Sequence, residues 1–202
     1  AWGIAIDSKF DSCAPADVNN DGLLDLYVNG TVSATESFRD YLFIRTTSGF
    51  ADRTPDNLLA LNASHGVAWG DTDGDGALDL ALAGSRADAS HPVLRNVLSP
   101  EVAKRSLHVR VLDATGKFGI AGAEVRVFAA GTKRLLATRF TDAGSGYNAQ
   151  SDAPVHFGLA TMARVDVEVI VPTGKSRVST VTRGVSPAAY ARRWLVVRAS
   201  ER

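Results

Sequence analysis

Apolar positions in this chain come in short runs, and most of them alternate with polar ones. Leu107, Val109 and Val111 alternate through Ser106–Asp113, and Val125 and Val127 do so within Ala123–Phe128. A period of two belongs to a strand with one buried face and one wet face. Runs of similar length at Leu23–Gly30, Tyr41–Arg45, Ala77–Gly84, Val165–Val171 and Leu195–Ala199 predict further strands. No long stretch carries helical periodicity, and Pro187–Arg193 has room for one short helical turn. The pattern predicts an all-β chain.

The pattern also repeats. Asp17-Val-Asn-Asn-Asp-Gly-Leu-Leu-Asp-Leu26 returns as Asp71-Thr-Asp-Gly-Asp-Gly-Ala-Leu-Asp-Leu80. Each copy runs into an apolar strand, Leu26–Val28 and Leu80–Leu82, and then into a short strand ending at Arg45 or Arg95. Self-similarity of this kind marks a repeat architecture. Composition changes at Ser99-Pro100-Glu101, which predicts two repeats in residues 1–100 (about 1–50 and 51–100) and a separate β unit in residues 101–202. Charge changes there too. The overall net charge of +0 hides fourteen acidic and six basic residues before that point, and eight acidic and sixteen basic residues after it. Opposite signs predict units that attract each other or meet different partners.

The repeated segment carries chemistry. Asp-x-Asn/Asp-x-Asp-Gly-x-x-Asp sets oxygen donors at positions 1, 3, 5 and 9 of a tight loop, with Gly22 and Gly76 at the turn. The expected ligands are Asp17, Asn19, Asp21, the Leu23 carbonyl and Asp25, and likewise Asp71, Asp73, Asp75, the Ala77 carbonyl and Asp79. Oxygen-only donors at this density select calcium over zinc or copper, which predicts two Ca2+ sites. Val28 and Leu82 stand where an EF-hand has its bidentate glutamate, and a strand rather than a helix follows, so these are not EF-hands.

Gly66-Val-Ala-Trp-Gly-Asp-Thr-Asp-Gly-Asp-Gly-Ala-Leu-Asp-Leu80 closely resembles the FG-GAP/VCBS repeat of integrin-like β-propellers. The resemblance implies four-stranded blades with calcium in a loop, and a packing role for Trp69. The second half resembles the ASPIC/UnbV domain, which follows such repeats in the cartilage acidic protein family. It does so through Ile120-Ala-Gly-Ala-Glu-Val125, Gly144-Ser-Gly-Tyr-Asn-Ala-Gln150, Val155-His-Phe-Gly-Leu159 and Val167-Glu-Val-Ile-Val-Pro-Thr-Gly-Lys175. Val171 and Thr173 replace the Trp and Ser usual in the last motif, so no role of that tryptophan carries over. The implied fold is two propeller-blade-like repeats plus a β-sandwich-like domain. Two blades do not close a propeller, which takes about four to eight. Their edges must be covered by the basic unit, by another copy of the chain, or by blades elsewhere in a longer protein.

Other chemistry is sparse. With 45% hydrophobic and 22% charged residues the chain has a globular composition, and no apolar run is long enough to span a bilayer. A lone cysteine, Cys13, excludes an internal disulfide. The single methionine is Met162, which predicts a processed or trimmed chain whose signal peptide is gone. No Gly-x-Ser-x-Gly elbow, Walker loop or dinucleotide fingerprint occurs. His65, His91 and His108 show no zinc spacing. Tyr147, Asp152 and His156 are the candidates for a catalytic or ligand-binding cluster, against which stands the commoner structural role of a strand histidine. Lys133-Arg134 and Arg192-Arg193-Trp194 lack the features of a nucleic-acid surface, so no nucleic-acid partner is expected. Asn29-Gly-Thr31 and Asn62-Ala-Ser64 fit glycosylation sequons, as short patterns often do by chance.

The expected function is a secreted or periplasmic calcium-binding module for adhesion, recognition or assembly. Its partner would be a protein or polysaccharide, or a second copy of the chain. The alternative is an enzyme of natural-product metabolism with a small-molecule pocket where the two units meet.

Overall fold

The computed structural model describes residues 4, 6, 8–31, 35, 38–61, 64–84, 91–117, 120–142, 144, 147, 149–152, 154–173 and 176–199. Strands make up 49% of the structure and helices 7%. The strands β1 (Phe10–Ala16), β2 (Asp25–Gly30), β3 (Tyr41–Thr46) and β4 (Gly49–Asp52) form an antiparallel sheet in chain order, as a propeller blade does. A short helix α1 (Asp56–Leu61) leads to β5 (Ser64–Gly70), which joins β6 (Asp79–Gly84) and β7 (Val93–Leu94) in a second antiparallel sheet. The two blades share one core: Ala14, Ala16 and Tyr27 from the first meet Val67, Trp69, Leu80 and Leu82 from the second. Tyr27 and Trp69 meet edge to face, and Trp69 Nε1 donates to the Ala14 carbonyl. The packing role expected of Trp69 is the one it has.

One helical turn, α2 (Pro100–Ala103), connects to a two-sheet sandwich. Its strands are β8 (Ser106–Leu112), β9 (Glu124–Ala129), β10 (Leu135–Phe140), β11 (Val155–Gly158), β12 (Val165–Thr173), β13 (Ser176–Val185) and β14 (Leu195–Arg198). One sheet runs β10-β9-β12-β13 and the other β11-β8-β14, with β14 parallel to β8. Leu107, Val109 and Val111 of β8 face Val125 and Val127 of β9 and Val165, Val167 and Val169 of β12 in one dry layer. Alternation then sends the other residues of β8 and β11, including Ser106, His108, His156 and Gly158, to the outer face of the small sheet. That outer face is seated on the two blades.

The seven strands expected from the apolar runs are all present, with ends moved by a residue or two, β7 falls on the short strand expected to end at Arg95, and β11 carries His156. The strands β1, β4, β5, β10 and β13 and the helices α1 and α2 were not expected. The 3-10 turn at Pro187–Tyr190 falls where a short helical turn was anticipated. Asn29 is fully buried and accepts a hydrogen bond from Ser12 Oγ, which removes its sequon from the surface, while Asn62 lies outside the described residues.

One blade edge is covered by the sandwich unit itself. Strand β5 borders its sheet, and beside it the Asp152 amide donates to the Trp69 carbonyl at 2.8 Å while Ser151 Oγ accepts from the Trp69 amide. Edge groups left open invite pairing with other chains, and this segment occupies them.

Candidate metal loops and the junction cavity

The two Asp-rich loops are built on the same hydrogen-bond plan. Position 1 folds the loop: Asp17 accepts from the amides of Asp21 and Gly22, and Asp71 from those of Asp75 and Gly76. Position 5 caps the turn, with Asp21 accepting from the Leu23 amide and Asp75 from the Ala77 amide, both at 2.8 Å. Position 9 closes it, Asp25 receiving the Val18 amide and Asp79 the Thr72 amide, both at 3.0 Å. The second oxygen of each closing aspartate reaches the next strand region, at the Arg45 and Asn96 amides. The counterpart of Arg45 is therefore Asn96, although the sequence pattern pairs Arg45 with Arg95. Gly22 and Gly76 have φ of +93° and +96°, which explains glycine at that turn.

In the second loop Asp71, Asp73 and Asp79 bring three carboxylate oxygens within 4.8 Å of one another, a group that could hold a metal ion. Arg95 lies beside it, 2.6 Å from Asp73 and 3.4 Å from Asp75. In the first loop Asn19 stands at the position of Asp73 and donates to Asp21 at 3.1 Å.

The electrostatics of both loops suit a cation. Asp17 and Asp25 are buried, and that burial raises their pKa values to about 6 despite the amides that favour the charged form; the nearby Asp21 carboxylate adds repulsion to both. Asp71 is raised for the same leading reason. Carboxylates held against such a cost at neutral pH are relieved by a hard divalent ion, and the donors are oxygens throughout. The residues present fit calcium.

The loops are also tied together. Asn20 Nδ2 reaches the carbonyls of Gly76, Val102 and Ala103, and Asn96 Nδ2 those of Val18 and Leu78. The Ala160 amide donates to the Asn20 carbonyl at 3.0 Å, which fastens the sandwich to the first loop.

Beside these contacts, between blades and sandwich, lies a cavity of about 300 Å³. Trp69 and Leu78 line it from the blades, and His108, Arg139, Val155 and His156 from the sandwich. Of the three candidate catalytic residues, the structure brings His156 and Asp152 to this cavity. Tyr147 is not among its lining residues; it is exposed, with its ring 6.1 Å from that of His65. His108 and Arg139 were not singled out as members of such a site. His108 shows no useful spacing along the chain, yet the β8–β11 register sets it opposite His156. Both rings are held neutral. Burial lowers His108 to about 4, and burial, then His108 and Arg139, drive His156 well below its ordinary value. Cys13 is exposed.

Comparison with known proteins agrees with this architecture. Residues 17–82 match the FG-GAP-like repeat family, and residues 113–185 match the ASPIC and UnbV family. Cartilage acidic protein 1 of Xenopus tropicalis is 31% identical over 182 residues, a stretch covering 84% of this chain. The match spans 26% of that relative's length. The chain thus carries FG-GAP-like repeats followed by an ASPIC and UnbV domain, the order found in the cartilage acidic protein family.

Proposed function

We propose that this chain is an extracytoplasmic recognition or assembly module whose Asp-rich loops are locked by two calcium ions. Asp17, Asn19, Asp21, Asp25 and the Leu23 carbonyl would hold one ion; Asp71, Asp73, Asp75, Asp79 and the Ala77 carbonyl would hold the other. Calcium would supply the charge that lets these carboxylates stay ionised together. The observation that carries the reading is the shared hydrogen-bond plan of the two loops, with Asp71, Asp73 and Asp79 converging in the second. Loops of this composition are useful where calcium is abundant, which supports a location outside the cytoplasm. Residues 1–100 would act as the two calcium-binding repeats and residues 101–202 as the domain that braces them.

Thermal unfolding with calcium and with excess chelator tests this. A calcium-dependent rise in Tm, reduced by Asp75→Ala and by Asp21→Ala, is the expected result. No shift under saturating calcium sinks the metal reading of these loops. The enzyme alternative draws on a different observation, the cavity shared by His156 and Asp152.

A further inference from the structure

His108 and His156 stand opposite each other on β8 and β11, with ring centroids 4.8 Å apart. Both are more than nine-tenths buried, and the Nε2 atom of each meets no hydrogen-bond partner among the described residues, while the His156 ring has a hydrogen bond to the Gly76 backbone. Buried ring nitrogens without partners are costly, and here both rings border the cavity between blades and sandwich. Much of the wall is apolar, from Ala14, Ala16, Trp69, Leu78 and Val155, so an occupant with an apolar body gains burial there. Arg139 adds a half-buried cation to the same cavity. It donates to the Thr138 carbonyl, lies against the Phe157 ring, and feels the field of Asp17, whose oxygens are already occupied by loop amides. Asp142 and Asp152 also belong to the lining but are exposed.

We propose that this cavity binds a small molecule with an apolar body and one carboxylate, the carboxylate set between the His108 and His156 rings and the Arg139 guanidinium. Neutral His108 can present Nε2–H to a carboxylate oxygen, His156 does so in the tautomer that gives up its bond to Gly76, and the guanidinium adds a charge-assisted bond. The guanidinium also disfavours a metal cation on the two rings. A volume of about 300 Å³ lies at the small end of ligand pockets, which suits a ligand of one or two rings. The proposal does not rest on calcium in the loops.

Titration calorimetry of the full chain with benzoate, phenylacetate and indole-3-acetate tests it, with benzyl alcohol as an uncharged counterpart. At least one carboxylate should bind saturably at a single site, and benzyl alcohol about tenfold or more weaker. Arg139→Met should weaken the carboxylate about tenfold or more, in line with the strength of charge-assisted bonds, and leave benzyl alcohol unchanged. Arg183→Met, on β13 at the opposite edge of the sheet that carries Arg139, should change neither. Should Arg139→Met not fold, 15N spectra of the wild-type histidines give the second measurement, in which the His108 and His156 Nε2 signals move together on titration. Absence of saturable binding across the panel overturns the proposal. So do equal affinities for carboxylate and alcohol, a folded Arg139→Met with unchanged carboxylate affinity, or histidine signals that stay in place.

Discussion

The side-chain amide of Asn20 donates to the Gly76 carbonyl at 3.1 Å, so the turn of one Asp-rich loop is fastened to the turn of the other. Asn20 does this from φ +57°, and the corresponding residue of the second loop, Gly74, has φ +72°. Two effects are therefore combined at Asn20, a left-handed backbone and a buried amide. Asn20→Ala should lose about 2–4 kcal/mol in urea unfolding, since it strips the carbonyls of their donor and strains the backbone. Asn20→Gly should lose about 1 kcal/mol less, because glycine takes that conformation without strain. Equal losses would assign the whole effect to the hydrogen bonds.

Gly158 packs closely against the first loop. A methyl group on it would run into the Asp17 carboxylate and lie 2.7 Å from Asn20 Cα. Gly158→Ala should therefore destabilise the chain by about 2–4 kcal/mol, as overpacked buried sites do. The same change at Gly131, where an added methyl would meet nothing within 4 Å and φ is +70°, should cost only the backbone strain of about 1 kcal/mol. Urea midpoints of the two variants measure the difference.

Arg95 competes for the second loop. Its side chain is 63% exposed and pairs with Asp73 and Asp75. Exposed pairs contribute little, so Arg95→Gln should change stability in chelator by less than about 1 kcal/mol. It should also tighten calcium binding at that loop several-fold, because the ion no longer displaces a guanidinium. Calorimetric titration with calcium reads this directly, and unchanged or weaker binding would remove Arg95 as a competitor.

The buried histidines predict acid sensitivity. An unfolded histidine takes up its proton near pH 6.5, while folded His108 does so at about 4. Between those values the unfolded chain binds more protons, so this contribution to stability falls as pH is lowered from 6.5 toward 4. Asp17 and Asp25 oppose it in chelator. Raised from 3.8 to about 6, they hold protons that the unfolded chain has released, and their contribution is lost as pH rises through that window. His108→Phe separates the two: from pH 7 to 4 it should lose less stability than the wild type, by up to about 3 kcal/mol. Parallel profiles would mean that His108 titrates normally.

What the sequence disclosed follows from how local each feature is. The loop residues were legible because the turn is made by neighbours in the chain, and Gly22 and Gly76 sit where its φ must be positive. Strands β8, β9 and β12 were legible because alternate residues enter a dry core. Strand β13 was not: of Ser176–Val185 only Val185 is buried, so no hydrophobic alternation marks it. Pro15 obscured β1, and a sheet edge is where a strand tolerates proline. The His108–His156 pair and the nearness of Arg139 depend on strand register and on how the sandwich seats, which no spacing along the chain records. Asn20 had a local signal, its alignment with Gly74 in the repeat, although its reach to Gly76, Val102 and Ala103 had none.

Asp17 belongs to two places at once, as the first residue of an Asp-rich loop and as part of the cavity wall. A cation drawing on that carboxylate changes the field felt by Arg139 across the cavity, and a ligand on Arg139 changes the field felt by the loop. Thermodynamic reciprocity then requires that each occupant alter the other's affinity by the same factor. A single side chain would then make occupancy of the loop by a cation readable as small-molecule affinity inside the joint.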